Sequence, residues 1–116
     1  MAERAIRVGL VGLGTIGTGV VRALQSHGTL IAERLGFPLE LARIADVDLE
    51  RERGVDLGGY RLSRDWREIV DDPSIDLIVE LVGGTGVARE LVLAALDAGK
   101  HVVTANKALL AKHGRE

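Results

Sequence analysis

The sequence contains no cysteine, which excludes a disulfide frame, a thiol nucleophile and any cysteine-based metal site. Aromatic residues make up only 3% of it, so Ala, Val, Leu and Ile must build the interior. That favours buried parallel strands packed on helices and argues against a surface that stacks nucleobases. Positive charge is not in excess: 15 Lys and Arg stand against 17 Asp and Glu, for a net charge of -2. The arginines around positions 43–53 and 61–72 are interspersed with acids, which reads as solvated surface and not as a basic face for nucleic acid. His27, His101 and His113 lie far apart and show no ligand spacing, so no metal is expected. No apolar run approaches the roughly 20 residues of a membrane span. Val8-Gly9-Leu10-Val11 is too short for a signal core and leads straight into glycines. The expectation is a cytoplasmic protein with neither a nucleic-acid nor a membrane partner.

What the sequence does hold is one domain's length, 116 residues, and 15 glycines, about twice the usual share. Several glycines fall just past β-prone runs, where a backbone must turn tightly or approach a ligand. The first such run is Ile6-Arg7-Val8-Gly9-Leu10-Val11, closed by Gly12. From Thr15 the apolar period becomes helical, with Ile16, Val20, Leu24, Ile31 and Leu35 on one face. His27 interrupts that stripe beside Gly28, which predicts two helices or one bent helix; Gly36 and Pro38 stop it. A second strand is predicted over 39–46, then an irregular charged stretch over 47–63 with a short strand at Tyr60-Arg61-Leu62.

Asp65-Trp66-Arg67-Glu68 has an acidic cap with a Glu three residues on, which suits a short helix through Val70. Trp66 is expected to anchor that helix to the sheet, with ligand stacking as the alternative. Asp76-Leu77-Ile78-Val79-Glu80-Leu81-Val82 has the near-continuous apolar content of a central parallel strand, with Glu80 placed at its end. A helix carrying Val87, Leu91, Ala94, Ala95 and Ala98 on one face follows and stops at Gly99. His101-Val102-Val103-Thr104 is a further strand, and a last helix is expected over 106–113. This alternation predicts a single α/β domain over 1–116: a Rossmann-like, doubly wound parallel sheet with its ligand crevice at the strands' carboxyl ends.

The strongest local signal is Gly12-Leu13-Gly14-Thr15-Ile16-Gly17, a G-x-G-x-x-G run that follows a strand and opens a helix. Gly12 would permit the tight turn, Gly14 the approach of backbone to a pyrophosphate, and Gly17 close packing of helix on strand. A helix N-terminus offers N–H groups and a positive dipole end, which suit a diphosphate. Asp46, closing the second strand, stands where an acid would take the adenosine ribose hydroxyls, although later than the usual spacing of about 20 residues. A carboxylate there repels a 2′-phosphate and favours NAD over NADP, while Arg43, Arg51 and Arg53 nearby in sequence would soften the repulsion. A helix cap or plain surface charge is the alternative for Asp46.

Four blocks together resemble the homoserine dehydrogenase family: Gly12-Leu13-Gly14-Thr15-Ile16-Gly17, Leu30-Ile31-Ala32-Glu33-Arg34-Leu35-Gly36, Val79-Glu80-Leu81-Val82-Gly83-Gly84, and the run from Gly99 to Ala111 containing Thr104-Ala105-Asn106-Lys107. The last block is the specific one, since few Rossmann enzymes carry Thr-Ala-Asn-Lys after that strand. The family interconverts L-aspartate 4-semialdehyde and L-homoserine with NAD or NADP, on the path to threonine and methionine. The resemblance implies that Gly12, Gly14, Thr15, Ile16 and Gly17 hold the pyrophosphate and that Gly83, Gly84 and Thr85 line the crevice. It implies also that Thr104, Ala105, Asn106 and Lys107 approach the nicotinamide. Lys107 would lie between cofactor and substrate as a catalytic residue; a solvated first-turn lysine is the alternative.

Family members carry a second α+β domain that binds the amino-acid substrate and supplies the acid–base lysine and aspartate. The chain is therefore expected to be the cofactor domain of a longer, homo-oligomeric enzyme and to turn over no substrate alone. A stand-alone NAD-binding regulatory module shares the same fingerprint and is the alternative class.

Overall fold

β-prone aliphatic runs separated by glycine and charged turns fold as the periodicity predicts. The computed structural model describes residues 5–50, 54–82 and 86–104. In chain order they form β1 (Ile6–Val11), α1 (Thr15–Leu35), β2 (Leu39–Ala45), β3 (Arg61–Ser63), α2 (Arg67–Val70), β4 (Leu77–Glu80), α3 (Gly86–Asp97) and β5 (His101–Thr104). The strands make one sheet in the order β3-β2-β1-β4-β5, with every pairing parallel. The chain runs outward from β1 through β2 to β3, then returns to the other side of β1 for β4 and β5. This doubly wound order creates a switch point between β1 and β4, where the connections leave a crevice at the carboxyl ends.

Register places that edge in one line. Val11 pairs with Ala45 and with Glu80, Ala45 with Ser63, and Glu80 with Thr104. The ladder continues one step further: Gly12 donates to the Ala45 carbonyl at 2.9 Å, Leu81 to the Val11 carbonyl at 2.9 Å and Asp46 to the Ser63 carbonyl at 3.1 Å. The glycine turn, Asp46 and the chain beyond β4 are thus fixed relative to one another by backbone hydrogen bonds.

Successive strand residues point to opposite faces, so two aliphatic layers form. Leu10, Leu13, Val21 and Ile44 pack on one side of the sheet. Val11, Ala45, Ile69, Val70, Ile75, Ile78, Leu91 and Ala95 pack on the other. In α1 the buried residues are Gly17, Thr18 and Val21, while Ile16 is 66% exposed. The apolar stripe through Ile16 is therefore not the face that meets the sheet. Gly17 must sit against the turn after β1, and that contact rotates the helix to bury the neighbouring row. His27 has non-helical backbone angles and kinks α1, as its interruption of the stripe predicted, and Gly36 caps the end in the left-handed region, donating to Ala32.

Two other local details depart from expectation. In α3 the buried row is Ala88, Leu91 and Ala95, whereas Val87 is 46% exposed. At α2 the capping box does not form: the Glu68 carboxylate accepts from the Ser63 hydroxyl at 2.5 Å, and the Asp65 amide donates to Ser63 Oγ at 3.0 Å. Ser63, buried at the end of β3, outcompetes the Asp65 backbone as the partner of Glu68.

The amino-terminal side of the sheet is held by a polar cluster. Asp72 accepts from Ser74 at Oδ1, through the amide at 2.8 Å and the hydroxyl at 2.7 Å, and from Arg43 at Oδ2, at 3.2 Å. The buried Lys100 ammonium donates to the carbonyls of Asp72 and Ile75 at 2.7 and 2.8 Å. A buried ammonium bound by carbonyls staples the turn before β4 to the start of β5, away from the crevice.

Candidate functional site

The site begins where β1 ends. Gly12 adopts φ +106°, a conformation that L side chains rarely reach, and a Cβ there would stand 3.0 Å from the Leu81 carbonyl carbon. A Cβ on Gly17 would collide with the Gly12 carbonyl oxygen. Both positions require glycine for the turn to close and for α1 to start directly over β1. Gly14 is different: it is exposed, and no described atom lies within 4 Å of where its Cβ would be.

Thr15 and Ile16 are exposed beside it. The N-cap is Gly14, which has no side chain to cap this end of α1, and no acidic residue occupies the first turn. The first-turn N–H groups lack intrahelical partners by geometry, and with the positive end of the helix dipole they present an anion-binding surface.

Asp46 stands next to this turn. Its Oδ2 accepts from the Leu13 amide at 2.5 Å and its Oδ1 from the Asp48 amide at 2.8 Å. The carboxylate therefore fastens the end of β2 to the glycine turn, a contact that strand order alone does not reveal. A cavity of about 350 Å³ opens here. It is lined by the glycine turn (Gly12, Gly14), by Asp46 and Val47 after β2, by Leu81 and Val82 after β4, and by Arg64, Trp66 and Val87. Val47 is 84% exposed, and with Trp66, Leu81, Val82 and Val87 it makes the lining largely apolar around the Asp46 carboxylate and Arg64.

The sequence points to Trp66 chiefly as an anchor, with ligand stacking as the alternative, and does not single out Arg64. Trp66 packs on the apolar cluster beneath α2 and α3, as an anchor should, and also lines the cavity, with the Arg67 guanidinium 4.5 Å from its ring centroid. Arg64 reaches the cavity wall and pairs with Glu50 at 3.1 Å. Arg43, expected near Asp46, is buried and donates to Asp72 and to the Glu68 carbonyl, so it does not serve the crevice. The misreading has a simple cause: Arg43 precedes the strand end by two residues, and its long side chain runs to α2.

Glu80 is the last residue of β4 and is fully buried. Its Oε1 accepts from the Val82 amide at 2.6 Å and its Oε2 from the Thr104 hydroxyl at 2.5 Å. Thr104, the last residue of β5, thus lies at the crevice edge opposite Asp46 in the strand order. Gly83, Gly84, Thr85, Ala105, Asn106 and Lys107, together with Arg51 and Arg53 and the helix expected over 106–113, lie outside the described residues. Among the described residues, no cluster of His, Cys, Asp or Glu is arranged to hold a metal ion, and no helix is long and apolar enough to cross a membrane.

Comparison with known proteins agrees with this geometry. A family model described as "Homoserine dehydrogenase, NAD binding domain" matches residues 12–116. The homoserine dehydrogenase of Methylobacillus glycogenes is 51% identical over 108 residues, covering 93% of this chain and 26% of that protein. The Bacillus subtilis homoserine dehydrogenase is 42% identical over 113 residues, covering 97% of this chain and 26% of its own length. The crystal structure of a homoserine dehydrogenase from Thiobacillus denitrificans superposes with a TM-score of 0.89 at 44% identity, over 97% of this chain and 26% of that one. The chain spans about a quarter of the length of these relatives.

Proposed function

The chain belongs to the homoserine dehydrogenase family, over the part described as the NAD-binding domain, and from that premise we propose that it binds a nicotinamide dinucleotide across the β1/β4 crevice. The observation that carries the reading is the start of α1: Gly14, Thr15 and Ile16 are exposed, the N-cap is a glycine, the first turn holds no acidic residue, and a carboxylate at the end of β2 stands beside it. Gly12, Gly14, Thr15, Ile16 and Gly17 would receive the pyrophosphate on backbone N–H groups. Asp46 would take the adenosine ribose hydroxyls, with Trp66 and Val47 beside the adenine. The nicotinamide would then extend toward the ends of β4 and β5, where Gly83, Gly84, Thr85, Thr104, Ala105, Asn106 and Lys107 follow in sequence.

NAD is the favoured cofactor. Asp46 repels a 2′-phosphate, and Arg64, which also lines the cavity, is already paired with Glu50. When bound, the nicotinamide supplies a hydride to, or accepts one from, the carbon of an aldehyde/alcohol pair. The proposed pair is L-aspartate 4-semialdehyde and L-homoserine, in threonine and methionine biosynthesis in the cytoplasm. This chain's contribution is to bind and aim the dinucleotide and to bring Lys107 to the reacting end. Substrate carboxylate and ammonium recognition, proton transfer and subunit contacts would belong to the rest of a longer enzyme.

Trp66 is the single tryptophan of the sequence and lines the cavity, so its fluorescence reports occupancy directly. Titration with NADH and NADPH, read by Trp66 quenching and by calorimetry, is expected to show binding of NADH and weaker binding of NADPH. Absence of binding by either dinucleotide would overturn the reading.

A further inference from the structure

We propose that Glu80 is a positioning residue for the nicotinamide half of the dinucleotide, acting through the two groups its carboxylate holds; the proposal rests on the dinucleotide reading above. The end-row of the sheet supplies the contrast. β1 and β2 end in Val11 and Ala45, small aliphatic residues that pack in the core, whereas β4 ends in a carboxylic acid that is 0% exposed. An aliphatic residue at that place would fill the space without the cost of dehydrating a carboxylate. Pairing of β4 with β5 does not need it, because the parallel ladder already runs from Leu77 and His101 to Glu80 and Thr104.

What the carboxylate adds lies beyond the ladder. One oxygen takes the amide of Val82, two residues past the strand end and part of the cavity wall. The other takes the hydroxyl of Thr104 on the neighbouring strand, 24 positions away in sequence. One buried side chain thereby sets both the direction in which the chain leaves β4 and the rotamer of the hydroxyl that ends β5. Carboxylate-accepted hydrogen bonds of this kind are short and directional, and buried ones resist exchange with water.

The place of this bridge decides which half of the ligand it serves. The pyrophosphate surface is at α1 and Asp46 is at the end of β2, on the far side of β1. A dinucleotide anchored at both must lay its remaining ring over the ends of β4 and β5, between the two groups that Glu80 holds. Glu80 does not itself line the cavity and meets it only through the Val82 backbone amide, whereas its other partner, Thr104, stands at the end of β5. Its loss should therefore be felt more by a ligand that carries the nicotinamide than by one that lacks it.

The experiment compares NADH with ADP-ribose, which keeps the adenosine and diphosphate but lacks the nicotinamide. Calorimetric titrations are made on the wild-type chain and on Glu80→Leu, Glu80→Gln and Thr104→Val, with thermal melts to establish folding. The expected result is a loss of NADH affinity of about tenfold in Glu80→Leu, the scale of one to two hydrogen bonds. Affinity for ADP-ribose should change less than about twofold, within ordinary mutational scatter. Glu80→Gln retains the size and one acceptor oxygen and should fall between wild type and Glu80→Leu. Should Glu80→Leu fail to fold, Thr104→Val removes the hydroxyl that donates to Glu80 while leaving the carboxylate in place, and carries the same comparison. Equal losses for the two ligands, or no loss for either, would overturn the proposal while leaving the dinucleotide reading intact. A wild-type chain that binds neither ligand would overturn the dinucleotide reading, and the positioning role with it.

Discussion

The carboxylate of Asp46 accepts the amide proton of Leu13 at 2.5 Å, joining the end of β2 to the middle of the glycine turn. The residue that should recognise a ribose therefore also shapes the loop that should receive the pyrophosphate. Asp46→Ala removes both functions, so NADH affinity should fall by more than the roughly tenfold expected of a single lost charged hydrogen bond. Asp46→Asn retains an oxygen for an amide while removing the negative charge. It should leave the melting temperature near wild type and narrow or invert the gap between NADH and NADPH. The charge-repulsion argument is wrong if the wild-type chain already prefers NADPH in paired titrations.

The three fingerprint glycines should separate into one ligand position and two structural ones. Gly14→Val places its side chain in space that no described atom occupies, at a residue whose φ of -73° and ψ of -162° suit a β-branched residue. Stability should stay within about 0.5 kcal/mol of wild type, while NAD(H) binding should be abolished, because the methyls would fill the proposed pyrophosphate position. Gly17→Ala forces a methyl into the Gly12 carbonyl oxygen and should cost about 1–3 kcal/mol or more of stability. Denaturant midpoints and titrations on the two variants test the division. A Gly14 variant with unchanged affinity would remove the fingerprint as the binding site.

The strands were legible because burial on both faces demands aliphatic runs, and the glycine turn because its φ and close contacts admit little else. Helix faces were less so. Ile16 and Val87 fit apolar stripes by period, yet both lie at first turns beside the crevice and are exposed. Periodicity records which residues are apolar; it does not record that Gly17 dictates the rotation of α1 or that Ala88 leads the buried row of α3. Long polar side chains were the least legible. Arg43 sits near Asp46 in sequence but spans to Asp72, and Glu68 bonds a serine five residues back where a capping box was expected. Glu80 was placed at a strand end by sequence, but its partner Thr104, 24 positions away, comes from the pairing of β4 with β5, which no local pattern encodes; only the Val82 amide is a local partner.

Asp72 predicts how the domain responds to acid. The Ser74 hydroxyl, then the Ser74 amide, lower its pKa from 3.8 to about 2, with a smaller contribution from Arg43, against an opposing push from burial. The folded form thus holds this proton less tightly than the unfolded chain. Its contribution to stability is complete above about pH 4 and is lost as the pH falls from about 4 toward 2. Ser74→Ala removes the largest cause and should make stability fall less steeply across that window, with a lower starting value near neutrality. Urea midpoints measured at about pH 6, 4 and 3 on both proteins check this. Parallel pH profiles would show that Asp72 does not couple folding to acid through Ser74.

Lys107 carries the prediction that bears on catalysis. It lies outside the described residues, three positions past Thr104, which closes β5 at the carboxyl edge of the sheet. A dinucleotide held at α1 and Asp46, as proposed, would bring its reacting carbon toward that edge, and an ammonium there would stabilise negative charge developing on the aldehyde oxygen as the hydride arrives. Stabilisation confined to the transition state appears in kcat and leaves the binding of cofactor nearly unchanged. The chain alone should bind NADH and oxidise no homoserine, since substrate recognition and proton transfer are assigned elsewhere. In an enzyme that joins this domain to its substrate-binding part, Lys107→Ala should lower kcat by about a hundredfold, equivalent to roughly 2.7 kcal/mol, with dinucleotide affinity within about threefold of wild type. Lys107→Arg keeps the charge but spreads it over a planar fork, and should recover only part of the loss. Steady-state kinetics with direct NADH titration separate the cases. A matching loss in NADH affinity would make Lys107 a cofactor contact, and wild-type rates in the alanine variant would make it a surface residue.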